Sequence, residues 1–180
     1  MTRRRDVEWL TRGVGRFFPQ KWEEFRDGVP MGQRDGELAE AYARLLASSD
    51  PAVREQAARD WCAWEEAIVS LETGGTPNPR YADPRFRVGF ARLVTHYFSH
   101  AAWLDEDQLL HDAYRITGIP TVLIHGQLDL ASPLETAWLL SRALPQSELV
   151  VLGGSGHTSD QLSDHVVAAT NRFAHATPRG

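Results

Sequence analysis

The most informative segment of the chain is Thr121-Val122-Leu123-Ile124-His125-Gly126-Gln127-Leu128-Asp129. Its first four residues form a short, continuous apolar run after Gly118-Ile119-Pro120, which is typical of a strand buried on both faces. A loop over residues 125–131 follows and contains Asp129. The segment therefore predicts a buried strand with a carboxylate just beyond its carboxyl end.

An alternation of strands and helices continues beyond this segment. Ser132-Pro133-Leu134-Glu135 predicts a helix start, with a serine cap, a proline at N1 and a glutamate at N3. Residues 149–152 predict a second buried strand, and residues 159–174 predict an amphipathic helix. Loops this short predict parallel strands and an α/β layer. Two strands alone expose both sheet edges, so either the earlier part of the chain covers them or other strands come from another polypeptide.

The chain before Gly118 has a helical pattern. Asp35 is a candidate cap for a first helix, and Asp50-Pro51 supplies the N-cap and N1 proline of a second. The second helix carries apolar residues at helical spacing, namely Val53, Ala57, Trp61, Trp64 and Ile68. A third helix begins near Pro84, with an apolar face made of Phe86, Phe90, Leu93, Val94 and Tyr97, and a shorter helix covers residues 105–114. We predict a mainly helical domain over residues 1–117 and a βαβα part over residues 118–180.

Composition excludes several classes of function. The 180 residues include 19 basic and 24 acidic side chains, for a net charge of −5, so nucleic acid is not an expected partner. Cys62 is the only cysteine, which excludes an internal disulfide and fits a reducing compartment. No apolar stretch approaches the roughly 20 residues needed to span a bilayer, and no secretory signal is visible. We therefore expect a cytoplasmic protein without membrane contact.

Asp129 and His157 are the candidate catalytic residues. Each follows a predicted strand, and catalytic groups of doubly wound sheets collect at the carboxyl ends of strands. Alone, Asp129 could be a simple helix cap, and His157, which has glycines at 153, 154 and 156, could be an ordinary loop residue. On consecutive βα units, however, the pair has the order of the last two members of a Ser, Asp, His triad. In such a triad the carboxylate orients the imidazole, which takes the serine proton.

Two groups of motifs resemble the proline iminopeptidase family of α/β-hydrolases. The segment 121–129 with Ser132-Pro133 resembles the acid-bearing segment of that family, and Gly154-Ser155-Gly156-His157 resembles its histidine segment. In the helical part, Trp61-Cys62-Ala63-Trp64-Glu65 and His96-Tyr97-Phe98 resemble the cap domain. The resemblance extends from about residue 8 to residue 173. It implies an incomplete α/β-hydrolase fold, with a helical cap followed by the last two βα units of the parallel sheet.

The resemblance also implies a substrate-binding carboxylate. Glu65 matches a cap glutamate that holds the free amine of the first substrate residue, although it could otherwise be a solvated helix glutamate beside Glu66. A second cap carboxylate is expected where this chain has Val94. One carboxylate holds an amine less tightly than two, so strict specificity for N-terminal proline is not implied. No cofactor is expected, and His96 and His100, four residues apart, lack a third ligand for a metal.

The chain contains no nucleophile elbow. No G-x-S-x-G motif occurs in the sequence, and the segment that would form an oxyanion hole is missing too. Ser155 lies two residues before His157 on the same loop, which is the wrong place for the nucleophile. The sequence starts, with its own methionine, just after the region where the nucleophile strand is expected. We therefore expect a C-terminal portion that is inactive by itself.

Three functions remain open from the sequence. The first is a serine aminopeptidase that acts on a peptide or amino-acid amide together with a separate N-terminal half. The second is a non-catalytic remnant or binding module. The third is an esterase or amidase, which the Val94 replacement permits. Self-association through the exposed sheet edges is a further expectation.

Overall fold

A computed structural model of the chain describes residues 3–175, which belong to two compact units, Met1–Gln108 and Leu109–Gly180. The first unit is helical and the second is an α/β layer. The interpretation of these units as a cap and a hydrolase core stays a prediction. No helix among the described residues combines the length and the apolarity that crossing a membrane requires.

Five helices of eight or more residues form the first unit. They are α1 (Arg4–Thr11), α2 (Pro19–Asp27), α3 (Leu38–Leu46), α4 (Pro51–Thr73) and α5 (Pro84–Ser99). Short 3₁₀ turns connect them at Gly13–Phe17, Met31–Gln33 and Pro79–Ala82, and another turn follows α5 at Ala101–Trp103. The three long helices predicted from the sequence are therefore confirmed as α3, α4 and α5.

An aromatic core joins these helices. Phe25, Tyr42, Trp61 and Trp64 are each at most 1% exposed. Phe25 stacks on Tyr42 with ring centroids 4.7 Å apart and on Trp64 with centroids 5.2 Å apart. The indole N–H of Trp64 donates to the Leu10 carbonyl at 3.0 Å, which ties α1 to α4. The predicted apolar stripe of α4 is thus the centre of the core.

Helix caps agree with the sequence at one position and differ at another. The Asp50 carboxylate accepts a hydrogen bond from the Ala52 N–H at 2.8 Å, which confirms the predicted cap of α4. The prediction of Asp35 as a cap is wrong, because α3 begins at Leu38 after Glu37, without a capping side chain.

The buried face of α5 differs from the predicted one. Ala91 and Thr95 are fully buried, whereas Leu93 is 60% and Tyr97 48% exposed. Helix α5 packs against α3 and α4, and small side chains allow backbones to approach closely. The positions of large apolar side chains therefore predicted the wrong buried face of α5. The short helix expected over 105–114 is a four-residue helix, α6 (Gln108–His111), continued by a 3₁₀ turn at Asp112–Ile116.

The second unit contains the two predicted strands. Its elements are β1 (Val122–Gly126), α7 (Glu135–Ala143), β2 (Glu148–Leu152) and α8 (Asp160–His175). The strands are parallel, and their register runs from Val122 opposite Glu148 to Gly126 opposite Leu152. Both strands are only partly buried, with Val151 38% exposed, although burial on both faces was expected. The reason is that, among residues 3–175, the sheet has two strands.

Candidate active site

The carboxyl ends of β1 and β2 carry the two candidate catalytic residues. The last paired residues, Gly126 and Leu152, lie side by side, so the loops that follow them both leave the sheet at its carboxyl end. The structure brings Asp129 and His157 together there, with His157 Nδ1 at 2.9 Å from Asp129 Oδ2. The Asp129 side chain is 6% exposed and the His157 side chain 49%.

This contact fixes how the imidazole can act. A carboxylate only accepts hydrogen bonds, so Nδ1 of His157 carries the proton and donates it to Asp129. The other ring nitrogen, Nε2, is then the proton acceptor of the neutral ring. A buried carboxylate against the ring also stabilises the imidazolium that proton uptake creates. The pair therefore has the geometry of a base held by an acid.

The Asp129 carboxylate is held by its own loop. Its Oδ1 accepts a hydrogen bond from the backbone N–H of Ser132 at 2.8 Å, so both carboxylate oxygens are engaged. The prediction that Ser132 caps α7 is wrong, because α7 begins at Glu135 with Leu134 at the N-cap. Ser132 belongs instead to a turn between Asp129 and Ser132, which is closed by the hydrogen bond from the Ser132 N–H to the Asp129 carboxylate.

Close backbone contacts lock the two loops together. The N–H of Leu128 donates to the Ser155 carbonyl, and that of Gln127 donates to the Leu152 carbonyl, both at 2.9 Å. A Cβ on Gly126 would overlap the Gly156 carbonyl oxygen. Around Gly153 and Gly154, in contrast, a Cβ would meet nothing within 4 Å. The glycine that permits the close approach is therefore at the end of β1.

Ser155 is a structural residue of the histidine loop. Its side chain is buried, and its hydroxyl donates to Gln161 Oε1 at 3.2 Å and accepts from the Ser159 hydroxyl at 3.0 Å. The Ser159 hydroxyl in turn accepts from the Leu162 N–H in the first turn of α8. These bonds occupy the Ser155 hydroxyl and agree with its exclusion as the nucleophile.

Burial makes Cys62 a poor candidate for a nucleophile. The side chain is buried in α4, and burial, followed by the negative charge of Glu65, raises its pKa to about 12. The thiol therefore stays protonated at neutral pH, whereas attack requires the thiolate.

Glu65 lies on α4 in the first unit. Its Oε1 accepts a hydrogen bond from the indole N–H of Trp61 at 3.1 Å, and the residue is partly buried. The neighbouring Glu66 accepts from the backbone N–H of Asn78 at 2.9 Å. Trp61 therefore orients the Glu65 carboxylate, whereas Glu66 anchors the connection that precedes α5.

Comparison with known proteins identifies the family. A chain from Streptomyces coelicolor named probable proline iminopeptidase is 44% identical over 174 residues, which are 94% of this chain and 53% of the relative. Proline iminopeptidases of Xanthomonas citri and Arabidopsis thaliana are 38% and 31% identical, over 97% and 96% of this chain and 56% and 47% of their own lengths. The chain belongs to the proline iminopeptidase family. No family profile matches it.

The proline iminopeptidase relatives are longer proteins. This chain spans about half the length of the curated relatives it matches.

Val94, which stands where the family resemblance implies a second carboxylate, lies partly buried on α5. The histidine pair considered as a metal site, His96 and His100, has ring centroids 5.1 Å apart, and His100 stacks on Trp103. Among residues 3–175, no group of three or more His, Cys, Asp or Glu side chains is placed to hold a metal.

Two residues of the site were missed by sequence reasoning. Gly126 permits the loops to meet, and His125 packs beside Asp129, with Nε2 at 2.8 Å from the Ser132 carbonyl. Both lie in the quoted acid-bearing segment. The available signal was a polar residue and a glycine directly after an apolar strand run.

Proposed function

We propose that this chain supplies the acid and the base of a serine aminopeptidase of the proline iminopeptidase type, which releases an N-terminal proline or another residue from peptides. The observation that carries this proposal is the 2.9 Å contact of His157 with the buried Asp129 at the ends of adjacent parallel strands. Similarity to proline iminopeptidases along nearly the whole chain supports it.

The proposed mechanism follows the roles that the pair can fill. A serine hydroxyl attacks the carbonyl carbon of the first residue, and Nε2 of His157 takes its proton. The imidazolium, stabilised by Asp129, then returns this proton to the departing amine. His157 then takes a proton from water, the water oxygen attacks the acyl-enzyme, and the proton passes from the imidazolium to the departing serine oxygen as the first residue is released. Glu65 is proposed to hold the protonated amine of that residue.

The serine must come from outside this sequence. None of the 180 residues belongs to a G-x-S-x-G motif. The proposal therefore includes an N-terminal hydrolase half that supplies the nucleophile and pairs with the exposed sheet. A peptide or amino-acid amide substrate and a cytoplasmic location belong to the same proposal.

A fusion tests the proposed function directly. The part of the Streptomyces coelicolor relative that precedes the region of similarity is joined upstream of residue 1, and hydrolysis of a chromogenic proline amide is measured. We expect activity in the fusion and none in either part alone. His157→Ala is expected to lower kcat by roughly 10³-fold or more. His165→Ala, which removes an exposed imidazole from α8, serves as the matched control and is expected to change nothing. An inactive but folded fusion would favour the non-catalytic alternative.

A substitution of Glu65 distinguishes the aminopeptidase function from the esterase alternative. In the fusion, Glu65→Gln is expected to lower kcat/KM for the proline amide about 10-fold or more, because a charge-assisted hydrogen bond to the amine is lost. The rate with an uncharged acyl ester is expected to stay the same. Glu66→Gln is the control, since it removes the same charge one residue away and keeps an acceptor for Asn78. Equal losses with both substrates would support the esterase alternative.

A further inference from the structure

A second imidazole lies against the Asp129 loop. His125 is on β1, four residues before Asp129, and its side chain is 16% exposed. Its Nε2 is 2.8 Å from the Ser132 carbonyl oxygen and 3.8 Å from Asp129 Oδ2. A carbonyl oxygen only accepts, so Nε2 of His125 carries the proton and donates it to Ser132.

We propose that His125 is a positioning residue for the Asp129–His157 pair, acting through its hydrogen bond to Ser132. This inference rests on the proposed function, since it assigns a role at the same site. The path has three bonds: His125 Nε2–H to the Ser132 carbonyl, the Ser132 N–H to Asp129 Oδ1, and His157 Nδ1–H to Asp129 Oδ2.

The path connects a strand to a loop. His125 belongs to β1 and pairs with Val151 of β2, whereas Asp129 and Ser132 lie in the connection between β1 and α7. The Asp129–Ser132 turn is therefore fixed to the sheet at both of its ends, by the chain at Gly126 and by the His125 side chain. Removal of the side-chain bond would take this donor away from the Ser132 carbonyl and release the turn that aims the carboxylate.

Direct hydrogen bonding to Asp129 does not explain the placement of His125. The separation of 3.8 Å from Oδ2 is too long for a hydrogen bond, and Oδ2 already accepts from His157. With its Nε2–H directed to the Ser132 carbonyl, the His125 ring leaves Oδ2 to His157. His125 is thus a support for the acid and does not compete with the base.

Two amide substitutions test this role. In His125→Gln the amide nitrogen can occupy the position of Nε2 and donate to Ser132, whereas in His125→Asn it stops near the position of Nδ1. His165→Asn, on the exposed face of α8, is the control. The readout is the downfield proton resonance of the His157 Nδ1–H in the full 180-residue chain, assigned by its disappearance in His157→Ala. Circular dichroism monitors folding.

We expect His125→Gln and His165→Asn to keep the His157 resonance, and His125→Asn to lose it or to exchange that proton about 10-fold faster. In the fusion, His125→Asn is expected to lower kcat about 10-fold with little change in KM, and His125→Gln to restore it. An unchanged resonance in His125→Asn would overturn the inference. So would loss of the resonance, or of folding, in His125→Gln. Because the resonance is read on the chain alone, an inactive fusion would count against the proposed function only.

Discussion

Asp129 shows how much of the site depends on a single buried carboxylate. It accepts one hydrogen bond from the backbone of its own loop and one from His157, so its two oxygens have separate tasks. A carboxylate whose side chain is only 6% exposed is costly to bury unless it is paired and hydrogen-bonded. The loop contacts that satisfy Asp129 therefore stabilise the loop and orient the imidazole together.

Gly126→Ala tests the contact between the two loops. The new methyl group would overlap the Gly156 carbonyl oxygen, so the loops must separate. We expect a loss of roughly 1–3 kcal/mol in the free energy of unfolding, as for other overpacked sites. The downfield His157 resonance should disappear as well. Gly154→Ala is the control, because a Cβ there meets nothing within 4 Å. Equal urea midpoints for the parent and Gly126→Ala would contradict the close approach.

Sequence reasoning could predict the pair but not its supports. Asp129 and His157 follow consecutive parallel strands, and the carboxyl ends of such strands lie at the same end of the sheet. The proximity of the two residues therefore follows from the topology. His125 and Gly126 act through contacts with Ser132 and Gly156, which depend on the exact path of two loops. Residue type and spacing carry no information about that path.

At the scale of elements, α4 organises the first unit. It contributes Trp61 and Trp64 to the aromatic core and presents Glu65 beside Trp61. Its position was predictable, since a cap, an N1 proline and a 3.6-residue period all indicate the same helix. The buried face of α5 was not, because Ala91 and Thr95 are buried through close packing against neighbouring helices.

The caps of α3 and α4 give a prediction at this scale. Asp50→Ala removes the acceptor of the Ala52 N–H and is expected to lower the free energy of unfolding by about 1 kcal/mol. Asp35→Ala is expected to change it by less than about 0.5 kcal/mol, because α3 begins at Leu38 without a capping side chain. Urea unfolding followed by far-ultraviolet circular dichroism measures both. A larger loss in Asp35→Ala would restore the cap expected from the sequence.

The packing of α3 and α4 also predicts a loss of stability in alkali. Burial raises the pKa of Cys62 from 9.0 to about 12 and raises the pKa of Tyr42 from 10.0. Both folded-state pKa values are raised, so their stabilising effect is fully present below pH 9 and is lost as pH rises from there toward 12.

We expect the free energy of unfolding to fall from about pH 9 upward, by at most ~1.4 kcal/mol per pH unit for each group. In Cys62→Ala the fall should begin about one pH unit higher, where Tyr42 ionises in the unfolded chain. Urea unfolding between pH 7 and pH 11 measures this. Identical pH profiles for Cys62→Ala and the parent would show that the thiol ionises as easily in the folded chain as in the unfolded one.

At the scale of the whole molecule, the two units differ in how completely they bury their own surfaces. The first encloses a fully buried aromatic core, whereas the strands of the second are only partly buried. The chain also spans about half the length of the curated relatives it matches. A sheet of two strands is marginal in water, so the second unit has more to gain from further strands than the first.

Amide hydrogen exchange should reveal this asymmetry. In the chain alone, peptides from β1 (Val122–Gly126) and β2 (Glu148–Leu152) are expected to exchange faster than those from the buried part of α4. Local opening of the strands exposes less buried surface than local opening of α4 and therefore costs less free energy. In the fusion with the Streptomyces coelicolor segment, the strand peptides should become protected, while α4 changes little. Exchange measured by mass spectrometry on both proteins makes the comparison. Strands already as protected as α4 in the chain alone would show that the two-stranded sheet needs no further strands, and the proposed partner half would then lose its structural basis.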